Sequence, residues 1–146
     1  MILNNMKKLM KYSGSKIPFP PMEYYKDPSG NHVSVNGFVF NRWVLLTDDN
    51  TAEPSVDDYH VGGGTIDTYS MSDSESIIND TTCQFTFTLT NDKGADYTLR
   101  RYGLAAQDAN AGYNIVLLTL DKMETPVVIP DGTTKTLTLT IDLGNL

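Results

Sequence analysis

The side chains best placed to do chemistry lie between residues 48 and 60, where Asp48, Asp49, Glu53, Asp57, Asp58 and His60 occur within "DDNTAEPSVDDYH". Several oxygen ligands on one flexible loop are what a hard cation such as calcium requires. The ligand order of an EF-hand is absent, however, and a solvated acidic loop accounts for the same residues. His32 and His60 stand far apart and fit no zinc spacing. Gly62-Gly63-Gly64 lacks the Gly-Lys-Ser/Thr continuation of a phosphate loop, so it reads as a turn. Serine, histidine and aspartate are present without a nucleophile elbow. No catalytic residue, metal ligand or cofactor site is therefore assigned, and the chain is expected not to be an enzyme.

Two further sets of side chains suit binding better than turnover. Tyr24, Tyr25, Trp43, Tyr59 and Tyr69 offer aromatic faces for a sugar or for a protein interface. The adjacent pair Arg100-Arg101, within a strand, places one guanidinium on each face and leaves at least one exposed beside an acid. Cys83 is the single cysteine, so an internal disulfide is impossible. Its position before "QFTFTLT" favours a buried thiol, in keeping with cytoplasmic folding.

The elements that must carry these groups are short strands. At 146 residues the chain has the size of one domain, enough to bury roughly two-thirds of its unfolded surface without staples. With 40% hydrophobic and 20% charged residues, it contains no apolar run near the ~18 residues of a membrane helix. "CQFTFTLT" alternates Phe85, Phe87 and Leu89 with threonines, and "TKTLTLTIDL" does the same with Leu137, Leu139, Ile141 and Leu143, the period of a strand with one face buried. "HVSVNGFVFNRWVLL" supplies one or two strands, with Asn36-Gly37 as a hairpin dipeptide. "VGGGTIDTYSM" holds a short strand and "SDSESIIND" one helical turn; "NDKG" is a hairpin turn into "DYTLRRYGL", and "GYNIVLLTLD" is a buried strand. About seven strands with no long helical pattern beyond residue 12 predict an all-β domain, an antiparallel β-sandwich of immunoglobulin-like or jelly-roll-like type, over residues 32–146.

Residues 1–31 read as an N-terminal arm. Ile2, Leu3, Met6, Leu9 and Met10 share one face of a short helix, with Lys7, Lys8 and Lys11 on the other. The segment after it, "KIPFPPMEYYKDPSG", carries Phe19, Tyr24 and Tyr25 among four prolines and favours extended chain. Basic residues interrupt the apolar part, so the opening does not read as a signal peptide. Four of the 11 basic residues (Lys7, Lys8, Lys11 and Lys16) fall within residues 1–16, which contain no acid; all 18 acids lie beyond them. The net charge of −7 thus divides into +4 for residues 1–16 and −11 for residues 17–146. Such a body repels nucleic acid, and a basic amphipathic arm suits an acidic protein surface.

"FTFTLTNDKGADYTLRRYGLAA", "NIVLLTLD" and "PVVIPDGTTKTLTLTIDL" together resemble the C-terminal part of small virion proteins of tailed bacteriophages, over roughly residues 83–143. Those proteins often carry an acidic residue before the "GL" pair, where this chain has Arg100, Arg101 and Tyr102. The resemblance implies a non-enzymatic building block of the capsid surface, neck or tail, assembled in the host cytoplasm. Its partners would be copies of itself and other virion proteins, met through the arm residues Ile2, Leu3, Met6, Lys7, Lys8, Leu9, Met10, Lys11, Phe19, Tyr24 and Tyr25. The alternative is a carbohydrate-binding or adhesin-like module built on the tyrosines and the loop from 48 to 60.

Overall fold

The structure is a computed structural model that describes residues 1–5, 24–27, 29–34, 40–61, 67–79, 81–109, 115–142 and 144. The regular elements among them are nine β-strands: β1 (Tyr24–Lys26), β2 (His32–Ser34), β3 (Phe40–Asp48), β4 (Asp67–Ile77), β5 (Thr82–Thr90), β6 (Tyr97–Asp108), β7 (Ile115–Leu117), β8 (Asp121–Ile129) and β9 (Thr134–Asp142). Every pairing is antiparallel. β1 and β2 form a hairpin of their own, and the other strands follow the order β7-β6-β3-β4-β5-β9, with β8 beside β7 along the same edge of β6. The all-β expectation is met in this antiparallel form.

β4 is the strand that links the two ends of this order. Its first half pairs with β3 and its second half with β5, with a register slip between Ser72 and Ser74. The sequence reading made "SDSES" part of a helical turn, and the structure corrects this. Serine and aspartate have weak strand propensity, but the ladder with β5 overrides it. "NDKG" is likewise a crossing and not a hairpin, because β5 pairs with β4 and β9 whereas β6 pairs with β3, β7 and β8. Asn91 fixes that crossing. Its amide donates to the carbonyls of Ala95 and Ile129, each at 2.8 Å, and its backbone carbonyl accepts from Gly132 N at 2.7 Å. The crossing from β5 to β6 and the turn from β8 to β9 are therefore locked together, with Gly94 and Gly132 supplying the positive φ that each turn needs.

Alternation decides what packs where. Phe85, Phe87, Leu139 and Ile141 from β5 and β9 meet Leu45 and Leu104 from β3 and β6, with Trp43 edge-on to Phe85 at 5.1 Å. Leu89, Tyr97, Leu99 and Ile129 continue this core toward the Asn91 end, and the Tyr97 hydroxyl bonds Thr47 Oγ1 at 2.9 Å. Val44 and Ala105, one residue along from Leu45 and Leu104, point to the opposite face, where Leu3, Leu117 and Leu120 bury them. β3 and β6 are thus covered on both faces.

Residues 1–5 provide part of that second cover. Ile2 bridges to Thr119, Leu3 N donates to Leu118 O at 2.8 Å, and Leu120 N donates to Met1 O at 3.0 Å. Leu3 has no exposed surface. The Asn5 side chain both accepts from Lys26 N and donates to Lys26 O, at 3.1 Å each, and so holds β1 as a neighbouring strand would. The boundary expected between residues 31 and 32 falls inside the β1–β2 pairing. Asn36-Gly37 lies outside the described residues.

Gly103 marks the tightest approach in the body. A Cβ there would stand 2.4 Å from Thr119 O and 2.7 Å from Leu117 Cδ1, so the chain following β7 can lie against β6 only because this residue has no side chain. Gly103→Ala should cost about 2 kcal/mol or more, the scale of an overpacked core. A denaturant midpoint equal to that of the wild type would contradict this packing.

Candidate binding cleft

The acids of the 48–60 loop are engaged in holding the loop. Asp48, with no exposed surface, pairs with Arg101 through two bonds, Nε to Oδ1 at 3.0 Å and Nη2 to Oδ2 at 2.6 Å. The two residues sit opposite each other in the β3–β6 register, so the ladder itself sets the fork against the carboxylate. Asp48 Oδ1 also accepts from Asn50 N. Asp58 accepts from Ser55 N, Asp57 accepts from Asn4 Nδ2, and Glu53 meets Lys122. Among the described residues, no group of three or more His, Cys, Asp or Glu is gathered to hold a metal ion.

The described aromatic side chains do not form an open platform. Trp43 packs on Phe85, Tyr97 is buried, and Tyr59 lies under Lys26 Nζ at 5.0 Å and against Gly30. Of the two adjacent arginines, Arg101 is buried and Arg100 half-buried. Of the expected docking residues, Leu3 packs in the apolar cover of the second face of β3 and β6, and Ile2 bridges to Thr119. Met6, Lys7, Lys8, Leu9, Met10, Lys11 and Phe19 lie outside the described residues. Tyr24 and Tyr25 are in β1, paired with Ser34 and Val33.

What sequence reasoning missed is a cleft along β9. β8 and β9 are consecutive in the chain but unpaired with each other, so one wall of the cleft comes from each. One part is an apolar cavity of about 140 Å³ lined by Leu45, Phe87, Leu99, Tyr102, Met123, Leu137, Thr138 and Leu139. A second, more polar part of about 160 Å³ continues past Tyr102 and Leu139 to Thr140, Ile141, Asp142, Asp121 and Ile2. The mouth is formed by half-buried Leu137, Tyr102 and Met123 and by exposed Thr138.

Local irregularity opens it. Leu99 stands opposite Val127 and Arg101 opposite Lys122, so β8 takes five steps where β6 takes two. The extra residues of "METP" have no partner in β6, which Pro126 permits because it needs no ladder partner. The same slip lets Leu99 and Tyr102 both line the cleft although they are three residues apart. A sequence signal existed in Pro126 within an apolar strand, which marks an edge or a bulge.

Burial raises the Tyr102 phenol, and the nearby Asp121 carboxylate raises it further. Burial also raises the Cys83 thiol, against a smaller opposing effect of its backbone hydrogen bond. Both groups therefore stay protonated at neutral pH. A raised folded-state value means that stability is complete below the unfolded value and is lost as pH rises through the folded one. Thermal stability should hold from neutral pH to about 8.5 and decline above it, through cysteine first and tyrosine above about pH 10. Tyr102→Phe should flatten the upper part of that decline; an identical alkaline profile would contradict the burial of this hydroxyl. No family model matches the sequence, no curated protein matches it, and no solved structure matches the fold.

Proposed function

We propose that this chain is a non-enzymatic structural subunit, an antiparallel β-sandwich that self-associates and docks on capsid, neck or tail components of a tailed bacteriophage virion. The observation that carries the reading is the scale and setting of the cleft. Sites for small ligands are roughly 300–1,000 Å³; the apolar part here is about 140 Å³ and its polar continuation about 160 Å³, so the whole cleft only reaches the bottom of that range and its apolar part has the room one large side chain needs. It lies between two strand edges, where a partner chain adds main-chain hydrogen bonds to side-chain insertion. The acids that might have served catalysis are meanwhile engaged in ion pairs and turns.

The virion assignment is supported by the resemblance over residues 83–143. The docking segment is narrower than the sequence alone suggests: Ile2 and Leu3 complete the body, which leaves Met6, Lys7, Lys8, Leu9, Met10, Lys11 and Phe19 to reach neighbours. Imaging intact particles that contain the chain tests the reading. Ordered, symmetric copies in contact with one another or with capsid, neck or tail proteins are expected. Absence from particles, or a monomer that binds a glycan array, would overturn it.

A further inference from the structure

β9 differs from the other strand bordering the cleft in carrying none of the usual interruptions of an edge within its central residues. β8 has Lys122, Pro126 and the register slip between Lys122 and Val127. β9 runs Thr136-Leu137-Thr138-Leu139-Thr140-Ile141 with no charge, proline, glycine or bulge, and pairs residue for residue with β5 from Thr82–Asp142 to Thr90–Thr134. Among the described residues β5 is its only partner, and the cleft follows its other side. Long, regular, uncharged edges act as templates for further strands, and proteins that must remain monomeric interrupt them.

We propose that the edge of β9 away from β5 is a strand-pairing site for β9 of a second copy of this chain, joined antiparallel across a twofold axis at Thr138. The proposal rests on the reading of the protein as a self-associating subunit and names the surface it uses. Charge limits where two copies can meet. Two bodies that each carry an excess of acid repel through most of their surfaces, but the six central residues of β9 are uncharged. Side chains directly opposite in an antiparallel pair lie on the same face, and an axis at Thr138, the midpoint of β9, pairs the strand over its whole length. With Thr138 opposite Thr138, Thr136 meets Thr140 and Leu137 meets Leu139; Lys135 falls opposite Ile141 and Asp142 opposite Thr134, so no like charges meet. A twofold contact of this kind is closed and self-complementary. Pairing continues the β5–β9 ladder through the axis. It also turns the two cleft mouths, with Leu137, Tyr102 and Met123 of each copy, toward one another and out of water.

The test combines charge variants with hydrogen exchange on the full chain. Thr138 is exposed, so Thr138→Lys and Thr138→Glu should fold with circular dichroism like that of the wild type. Each variant alone places like charges at the axis and should lose the dimer in sedimentation equilibrium. An equimolar mixture sets lysine against glutamate and should restore it. In the unmodified protein, amide protection over Thr136–Ile141 should rise with concentration, a readout that needs no variant. Variants that associate as the wild type does, a mixture that stays dissociated, or protection in β9 independent of concentration would each overturn the β9 pairing. Wild-type association that persists in those cases would leave the broader self-association reading standing. A wild type monomeric at every concentration would overturn both.

Discussion

Asp48→Asn should destabilise the protein by about 3–5 kcal/mol, the cost of breaking a buried ion pair by removing one partner. The magnitude follows from what is left behind. Arg101 cannot shed its charge to escape the interior, it is 5% exposed, and its Nε and Nη2 both point at the Asp48 carboxylate. Asparagine offers one neutral acceptor where two charged oxygens stood. The pair's net worth is a separate quantity, because two desolvated charges offset much of their own attraction. Replacing both at once, Asp48→Leu with Arg101→Met, should therefore recover most of the loss. Denaturant unfolding of the single and double variants measures this directly. A single variant within about 0.5 kcal/mol of the wild type, the range of ordinary surface substitutions, would mean that the pair is not buried as described.

Leu3→Ala should cost about 2–5 kcal/mol, the range for truncating a buried leucine. Leu3 lies at the start of the chain, yet it packs with Val44, Ala105, Leu117 and Leu120 on the second face of β3 and β6. Its own backbone N–H bonds Leu118 O and the Met1 carbonyl accepts from Leu120 N, which hold it there, and Asn5 extends the attachment to β1. Deleting residues 1–5 should destabilise the body at least as much, since it removes the same side chain and exposes the strand-facing groups beneath it. Equilibrium unfolding of both variants tests this. An unchanged midpoint would restore the picture of a detachable arm beginning at the first residue.

The strands that alternate cleanly were legible in the sequence. Phe85, Phe87 and Leu89 in β5, and Leu139 and Ile141 in β9, are buried as the period of two requires, while Leu137 stops half-way at the cleft mouth. Other features required knowledge of which strands become neighbours. "SDSES" has no alternating apolar signal, because its strand character comes from its ladder with β5 and not from its own side chains. Leu3 fits an amphipathic helix and a buried anchor equally well; only the otherwise uncovered Val44 and Ala105 distinguish the two. Arg101 was expected on a face of β6, but its burial depends on Asp48, 53 residues earlier, standing opposite it. The cleft depends on a slip in register between β6 and β8, which the composition of either strand alone does not encode. Pro126 was its one visible trace.

The central claim, a subunit that works by association, is tested most directly by sedimentation velocity of the intact chain over a wide concentration range. The account predicts a sedimentation coefficient that rises with concentration from that of a 16.2 kDa monomer to that of a defined oligomer. A single monomeric species throughout that range would contradict it.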